Sequence, residues 1–137
     1  MIDTVQMVFE WGTVSGSATQ AQVGSRFYTP VAPADFENTQ KAIIFHVESE
    51  MDTNFKTTDN HECVVVMKCY GGSDSYTDAR TVYRAVHDRF SGVVNGQATE
   101  GTLISSEQIA AFLGPPEIQS NGRTWPVMIA KYLIRCA

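Results

Sequence analysis

Three histidines and three cysteines are the side chains of this 137-residue chain best suited to metal ligation or nucleophilic catalysis. His46, His61 and His87 fall on two expected strands and a helix, and no two stand at a ligand spacing. Cys63 and Cys69 share one face of one expected strand. The strand rise sets them about 20 Å apart, too far to share a metal ion. Such cysteines are ordinarily small apolar core side chains. A thiolate paired with His46 or His87 has no neighbouring cation to activate it. Asp52, Asp59 and Glu62 gather near an expected hairpin tip, without the alternating oxygen spacing of a calcium loop. A solvated acidic turn accounts for them. Gly71-Gly72 stands between a strand and a helix start, where a phosphate-cradling turn would be, but no lysine follows and neither glycine-rich spacing is met. The glycines suit a sharp turn instead. The residues thus imply no catalytic centre, no cofactor and no metal.

The elements that position these residues read as an α+β domain. In 41–48, Ile43, Phe45 and Val47 point one way and Ala42, Ile44 and His46 the other. In 61–70, Cys63, Val65, Met67 and Cys69 oppose Glu62, Val64, Val66 and Lys68. The polar segment 51–60 between them makes a hairpin with a long tip. Residues 75–90 form the clearest helix: Ala79, Val82, Tyr83, Val86 and Phe90 make an apolar stripe. Ser75 and Asp78 read as its capping box, with Gly92 just past its end. Arg80, Arg84, Asp88 and Arg89 lie largely off the stripe.

The ends of the chain read less evenly. Apolar residues in 1–11 fit a helix or a strand equally, and 12–24 is a small-residue connection with a short helical turn near 18–23. Pro30 and Pro33 keep 28–35 extended. Residues 102–104 suit a short strand. Residues 105–114 carry the cap, body and stop signals of a short helix, although Ile109 and Phe112 also suit an irregular strand. Ser120-Asn121-Gly122 signals a hairpin turn. In the final strand, 124–136, Met128, Ala130, Tyr132, Ile134 and Cys136 face one side. Val127, Ile129 and Leu133 share the other with Lys131 and Arg135. The whole is one domain: an antiparallel or mixed β-sheet with one long helix, and short helices, packed on one face.

Composition narrows the function classes. Apolar residues make up 43% of the chain and charged ones 18%, which suits one globular domain with an uncharged polar surface. Such a surface packs against a partner at little desolvation cost. The formal charge of −5 and the lack of a basic stripe argue against nucleic-acid binding as the main task. The longest apolar run, around Val64 to Met67, is far too short for a membrane span. The start lacks the pattern of a signal peptide, and the odd cysteine count fits a reducing cytoplasm. Trp125 before Pro126 suits either a core cap or an interface. Arg80 and Arg84 are solvated or meet an acidic partner.

Gly24-Ser25-Arg26-Phe27-Tyr28 leads through Pro30 and Pro33 into the strand 41–48. The next strand ends in Tyr70-Gly71-Gly72, before the helix with Ala79, Val82, Val86 and Phe90. A C-terminal hairpin with an alternating last strand, 126–135, follows. Over nearly the whole chain this order of segments resembles the pattern of the small tail-terminator (tail-completion) proteins of long-tailed bacteriophages. The chain departs from it in an N-terminal helix that reads as short or absent and in a more helical 101–113. The resemblance implies a virion protein of the tail neck, assembled in the host cytoplasm as a homo-hexameric ring. Its partners would be the tail-tube protein and the head-connector or head-closure protein. DNA would pass through an acidic lumen without being specifically bound, and no membrane is involved. Candidate interface residues are Arg26, Tyr28 and Phe36 on the extended segment, Asp52, Asn54 and Lys56 at the 51–60 tip, and Arg80 and Arg84 on the helix. The alternatives are another head–tail connection subunit, or a small ligand-binding or enzymatic domain whose sheet concavity uses Tyr70, Tyr132, His46 and an acid.

Overall fold

The computed structural model describes residues 3–34, 36, 40–52 (backbone alone for 50–52), 61–118, 122 and 124–137. Asp3 opens helix α1 (Thr4–Thr13), its carboxylate accepting the Gln6 N–H at 3.0 Å. The ambiguity between helix and strand is resolved by burial: Thr4, Met7, Val8 and Gly12 face inward at helical spacing, while Val5 and Phe9 are largely exposed. The expected absence or shortness of this helix is corrected by its ten residues. Ser17 caps α2 (Ala18–Val23) in the same way, accepting from Gln20 N–H.

The strands are β1 (Phe27–Tyr28), β2 (Ala42–Asp52), β3 (His61–Tyr70), β4 (Val93–Gln97), β5 (Thr102–Leu113) and β8 (Val127–Cys136), which form a six-stranded sheet in the order β1-β2-β3-β8-β5-β4. β1 runs parallel to β2 and every other pair is antiparallel, so the sheet is mixed. β6 (Glu117–Ile118) and β7 (Thr124–Trp125) make a separate two-stranded pair. The hairpin tip between β2 and β3, and Ser120 and Asn121 of the expected turn, lie outside the described residues. The final strand is interrupted at Pro126, whose missing N–H separates β7 from β8.

The α1, α2 and α3 (Tyr76–Phe90) helices cover one face of the sheet, α3 being the longest described at 15 residues. Ile43, Phe45, Cys63, Val65, Met67, Cys69, Ala130, Tyr132 and Ile134 meet Val82, Val86 and Phe90 there. The Phe27 ring stands 5.1 Å from Phe45 and 6.5 Å from Phe90, where it stacks. Gly12 lets that ring in: a Cβ there would lie 2.5 Å from it.

The structure decides two sequence readings, on α3 and β5. Ser75 is the N-cap of α3, but its side chain makes no capping bond. Instead Ser73 Oγ donates to Asp78 Oδ2 at 2.6 Å and accepts the Ser75 N–H at 3.0 Å, so Ser73, two residues before the N-cap, takes the Asp78 carboxylate. Of the two readings of 105–114, short helix and irregular strand, the second holds: β5 pairs with β8 from Leu103–Cys136 to Leu113–Met128. Register shifts between Leu103 and Ser105 and between Gln108 and Ala110 break the two-residue period. A continuous partner strand outweighs the helical propensity of Ala110 and Ala111.

Candidate assembly surface

The sheet face away from the helices is only partly covered. β2 sends Ile44 and His46 to it, β3 sends Glu62, Val64, Val66, Lys68 and Tyr70, and β8 sends Ile129, Lys131, Leu133 and Arg135. Most of these are half-buried, and Val66 and Tyr70 fall to 5% and 4% exposure. Charges bridge strands across the face: Lys131 Nζ to Glu48 at 3.2 Å, Arg135 Nε to Glu62 at 2.7 Å and Lys68 Nζ to Glu117 at 3.8 Å. The bond to Glu62 raises the Arg135 guanidinium further above its ordinary range. Exposed pairs of this kind stabilise by about 0–1 kcal/mol each, so they set the polarity of the surface more than its stability.

At one corner the face is closed by aromatic rings. Trp125 is 1% exposed, between Tyr70 at 5.5 Å and Phe36 at 6.0 Å, and Phe36 meets Tyr28 edge-on at 5.7 Å. Tyr70 Oη donates to Glu117 Oε2 at 2.8 Å. Burial, and then this carboxylate, push the Tyr70 phenol far above its ordinary range. Beside the cluster lies an open cavity of about 180 Å³, walled by residues 30–32 and floored by Ile44, His46, Lys68, Tyr70 and Glu117.

The members of the expected interface set whose side chains are described, Arg26, Tyr28, Phe36, Arg80 and Arg84, do not form one patch. Tyr28 and Phe36 come together in the aromatic corner. Arg26 is half-buried, and its Nε donates to Lys41 O at 2.7 Å, tying the chain before β1 to the chain entering β2. Asp52 ends β2 opposite His61, and Asn54 and Lys56 lie outside the described residues. Arg80 and Arg84 are exposed on α3, on the helical side of the molecule, with no ion pair among the described residues. The expected concavity also changes membership. His46 and Tyr70 line the cavity and Glu117 is its acid, but Tyr132 is fully buried on the opposite face. There its ring meets Phe90 at 5.9 Å, and burial raises its phenol.

The remaining chemistry-bearing residues are structural. Cys63 and Cys69 sit in the core, and burial pushes the Cys69 thiol far above its ordinary range, which keeps it protonated and inert. His87 Nδ1 lies 2.8 Å from Gln108 Oε1, which also accepts from Tyr83 Oη at 2.9 Å. Among the described residues no group of three His, Cys, Asp or Glu is placed to hold a metal ion. No helix among them is long and apolar enough to cross a membrane. Sequence reasoning had placed Lys131 and Arg135 on the less apolar side of the last strand, but nothing in the sequence linked them to Glu48 and Glu62.

No protein-family model and no curated protein matches this chain. Among solved structures, a chain from the virion of a native gene transfer agent particle shares its fold. The TM-score is 0.58 at 16% identity, over 90% of this chain and 87% of that one.

Proposed function

We propose that this protein is a structural virion subunit of a phage-like particle, and that it acts by assembly and not by catalysis. The observation that carries this reading is the shared fold, over nearly the full length of both chains, with a gene transfer agent virion protein. The surface supports it. A half-buried sheet face that mixes Ile129 and Leu133 with paired charges suits packing against another protein. The cavity of about 180 Å³ falls short of the ~300–1,000 Å³ usual for small-molecule sites, which disfavours the ligand-binding alternative.

Within that class, the segment order supports a tail terminator. A ring, six subunits in the resembled family, would cap the tail tube, stop its polymerisation and join it to the head connector. The 26–36 and 51–60 segments, with Arg80 and Arg84, are its proposed contacts. A head-to-tail contact repeated through a closing rotation generates such a ring without chemistry. The net charge of −5 would let DNA pass the lumen without sticking. The protein would then reside in the virion neck after assembly in the host cytoplasm.

Light scattering with negative-stain imaging of the purified protein tests this. Closed rings that cap tail-tube protein when mixed with it are the expected result. A stable monomer that ignores tube protein at high concentration overturns the terminator reading. Rings that bind head-connector protein and ignore the tube would reassign the chain to head closure.

A further inference from the structure

Two stretches of the sheet's rim have no outer strand partner among the described residues. On one side β1 covers β2 only at Ile43 and Ile44, which leaves 45–52 with β3 alone. On the other side β4 covers β5 only across 102–106, which leaves 107–113 with β8 alone. Each uncovered rim offers outward N–H and C=O groups, a template for another strand. Of the features that ordinarily guard such rims, lysine and proline occur in neither 45–52 nor 107–113, and each stretch carries one register shift. The β5 rim is also apolar: Ile109, Phe112 and Leu113 are 52%, 44% and 55% exposed.

We infer that residues 107–111 of one copy pair antiparallel with residues 45–49 of the next, joining neighbouring sheets into one continuous wall. This rests on the ring reading above and names the contact that closes the ring. Strand direction permits it. β2 and β8 run one way and β3 and β5 the other. A copy carried around an axis lying along the strands therefore brings its β5 beside a neighbour's β2 with opposite direction, as antiparallel pairing requires.

Charge and coverage favour this head-to-tail pairing over a twofold one. By sequence 45–52 is the more acidic stretch, with Glu48, Glu50 and Asp52 against Glu107 alone in 107–113, so pairing it with itself brings more like charge together than pairing the two stretches. A twofold β5–β5 contact would hide the apolar rim and leave all of 45–52 open. The registers across the sheet set Glu107 level with Ser49 and Ala111 level with Phe45, so a rotation about such an axis brings these uncovered residues side by side.

Cysteine pairing in the full chain tests the contact, because native Cys63, Cys69 and Cys136 are buried. Ile109→Cys is combined in one chain with Val47→Cys, Glu48→Cys or Ser49→Cys, consecutive positions that cover both faces of the strand. Mild oxidation should turn at least one double variant into a ladder of linked oligomers. The matching single variants should give dimers when mixed and none alone. Dimers from Ile109→Cys alone would show the twofold contact and overturn the inference. Light scattering on the same samples separates the two readings. Rings without a ladder overturn the strand pairing and leave the ring, whereas monomers without a ladder overturn both.

A second variant avoids dependence on register. Ile109→Lys with Phe112→Lys should weaken self-association at least about tenfold at unchanged monomer melting temperature. Unchanged association overturns the inference. Amide exchange in 107–113 should slow on self-association. Slowing only when tail-tube protein is added would assign that rim to the tube and overturn the pairing proposed here.

Discussion

The two faces of this sheet are made by the same strands and end in different states. On the helical side Phe45, Met67 and Ile134 are fully buried, whereas across the sheet Ile44, Val64, Ile129 and Leu133 stay half-buried among ion pairs. Each of these strands alternates, so the contrast arises from what covers the faces. Three helices lie on one, while among the described residues the other carries the aromatic corner built around Trp125. The covered face supplies the stability of the subunit. The open face has the composition of a surface that finishes its packing against another molecule.

The largest effect should come from the covered face. Phe45→Ala removes a fully buried ring that touches Phe27 and should cost about 3–5 kcal/mol in urea unfolding. Leu133→Ala, made on the half-buried face, should cost clearly less in dilute protein. Equal losses would mean that the open face is closed in solution. A smaller but specific loss should follow Gly96→Val. Trp11 and Arg89 clasp each other: Trp11 Nε1 donates to Arg89 O at 3.0 Å and Arg89 Nε to Trp11 O at 2.7 Å, with the guanidinium 3.7 Å from the ring centroid. A Cβ on Gly96 would stand 2.5 Å from the indole, so overpacking of about 1–3 kcal/mol is expected. Calorimetry would measure it.

That clasp also shows where sequence reading stops. β3, β8 and α3 were legible because each keeps one period along its length: two for the strands, about 3.6 for the Ala79–Val82–Val86–Phe90 stripe. β5 was legible only as one of two readings, since its two register shifts put Ile109 out of phase and left local helix signals beside those of an irregular strand. The Ser75 cap was misread because Ser73, two residues away, competes for the same Asp78. Tyr28 and Phe36 are expected as interface candidates, and in the structure their rings meet. Their packing against Trp125 and Tyr70 depends on contacts across the chain that no spacing encodes. Glu117 reaches Tyr70 from 47 residues away in the same manner.

The corner where the open face does close gives an intermediate effect. Tyr70→Phe removes the bond to Glu117 and should cost about 1 kcal/mol near neutral pH. It should also change the alkaline limb of stability. The folded protein holds the Tyr70 proton more tightly than the unfolded chain, whose tyrosine titrates near 10. The stabilisation is therefore complete below about pH 10 and is lost as pH rises beyond it. Tyr132, raised in the same direction, contributes to the same fall. Tyr70→Phe should make the fall shallower without abolishing it, as read by unfolding at successive pH values. An unchanged slope would place the alkaline loss elsewhere.

The smallest effect is expected where the open face is wettest, and it separates the free subunit from the assembled one. Lys131 and Glu48 pair at 3.2 Å with 29% and 48% of their side chains exposed. A cycle of Glu48→Ala, Lys131→Ala and the double variant should give a coupling of about 0.2–1 kcal/mol in dilute protein. Raising ionic strength should reduce it, since solvent reaches both groups. The cycle is then repeated at a concentration where the protein self-associates. If neighbouring copies bury this face, water is excluded from the pair and each single truncation leaves a charge uncompensated. The single variants should then weaken association more than the double variant does. If salt sensitivity and coupling stay at their dilute values, the pair remains in water, and contacts between copies run along the strand rims without covering the face.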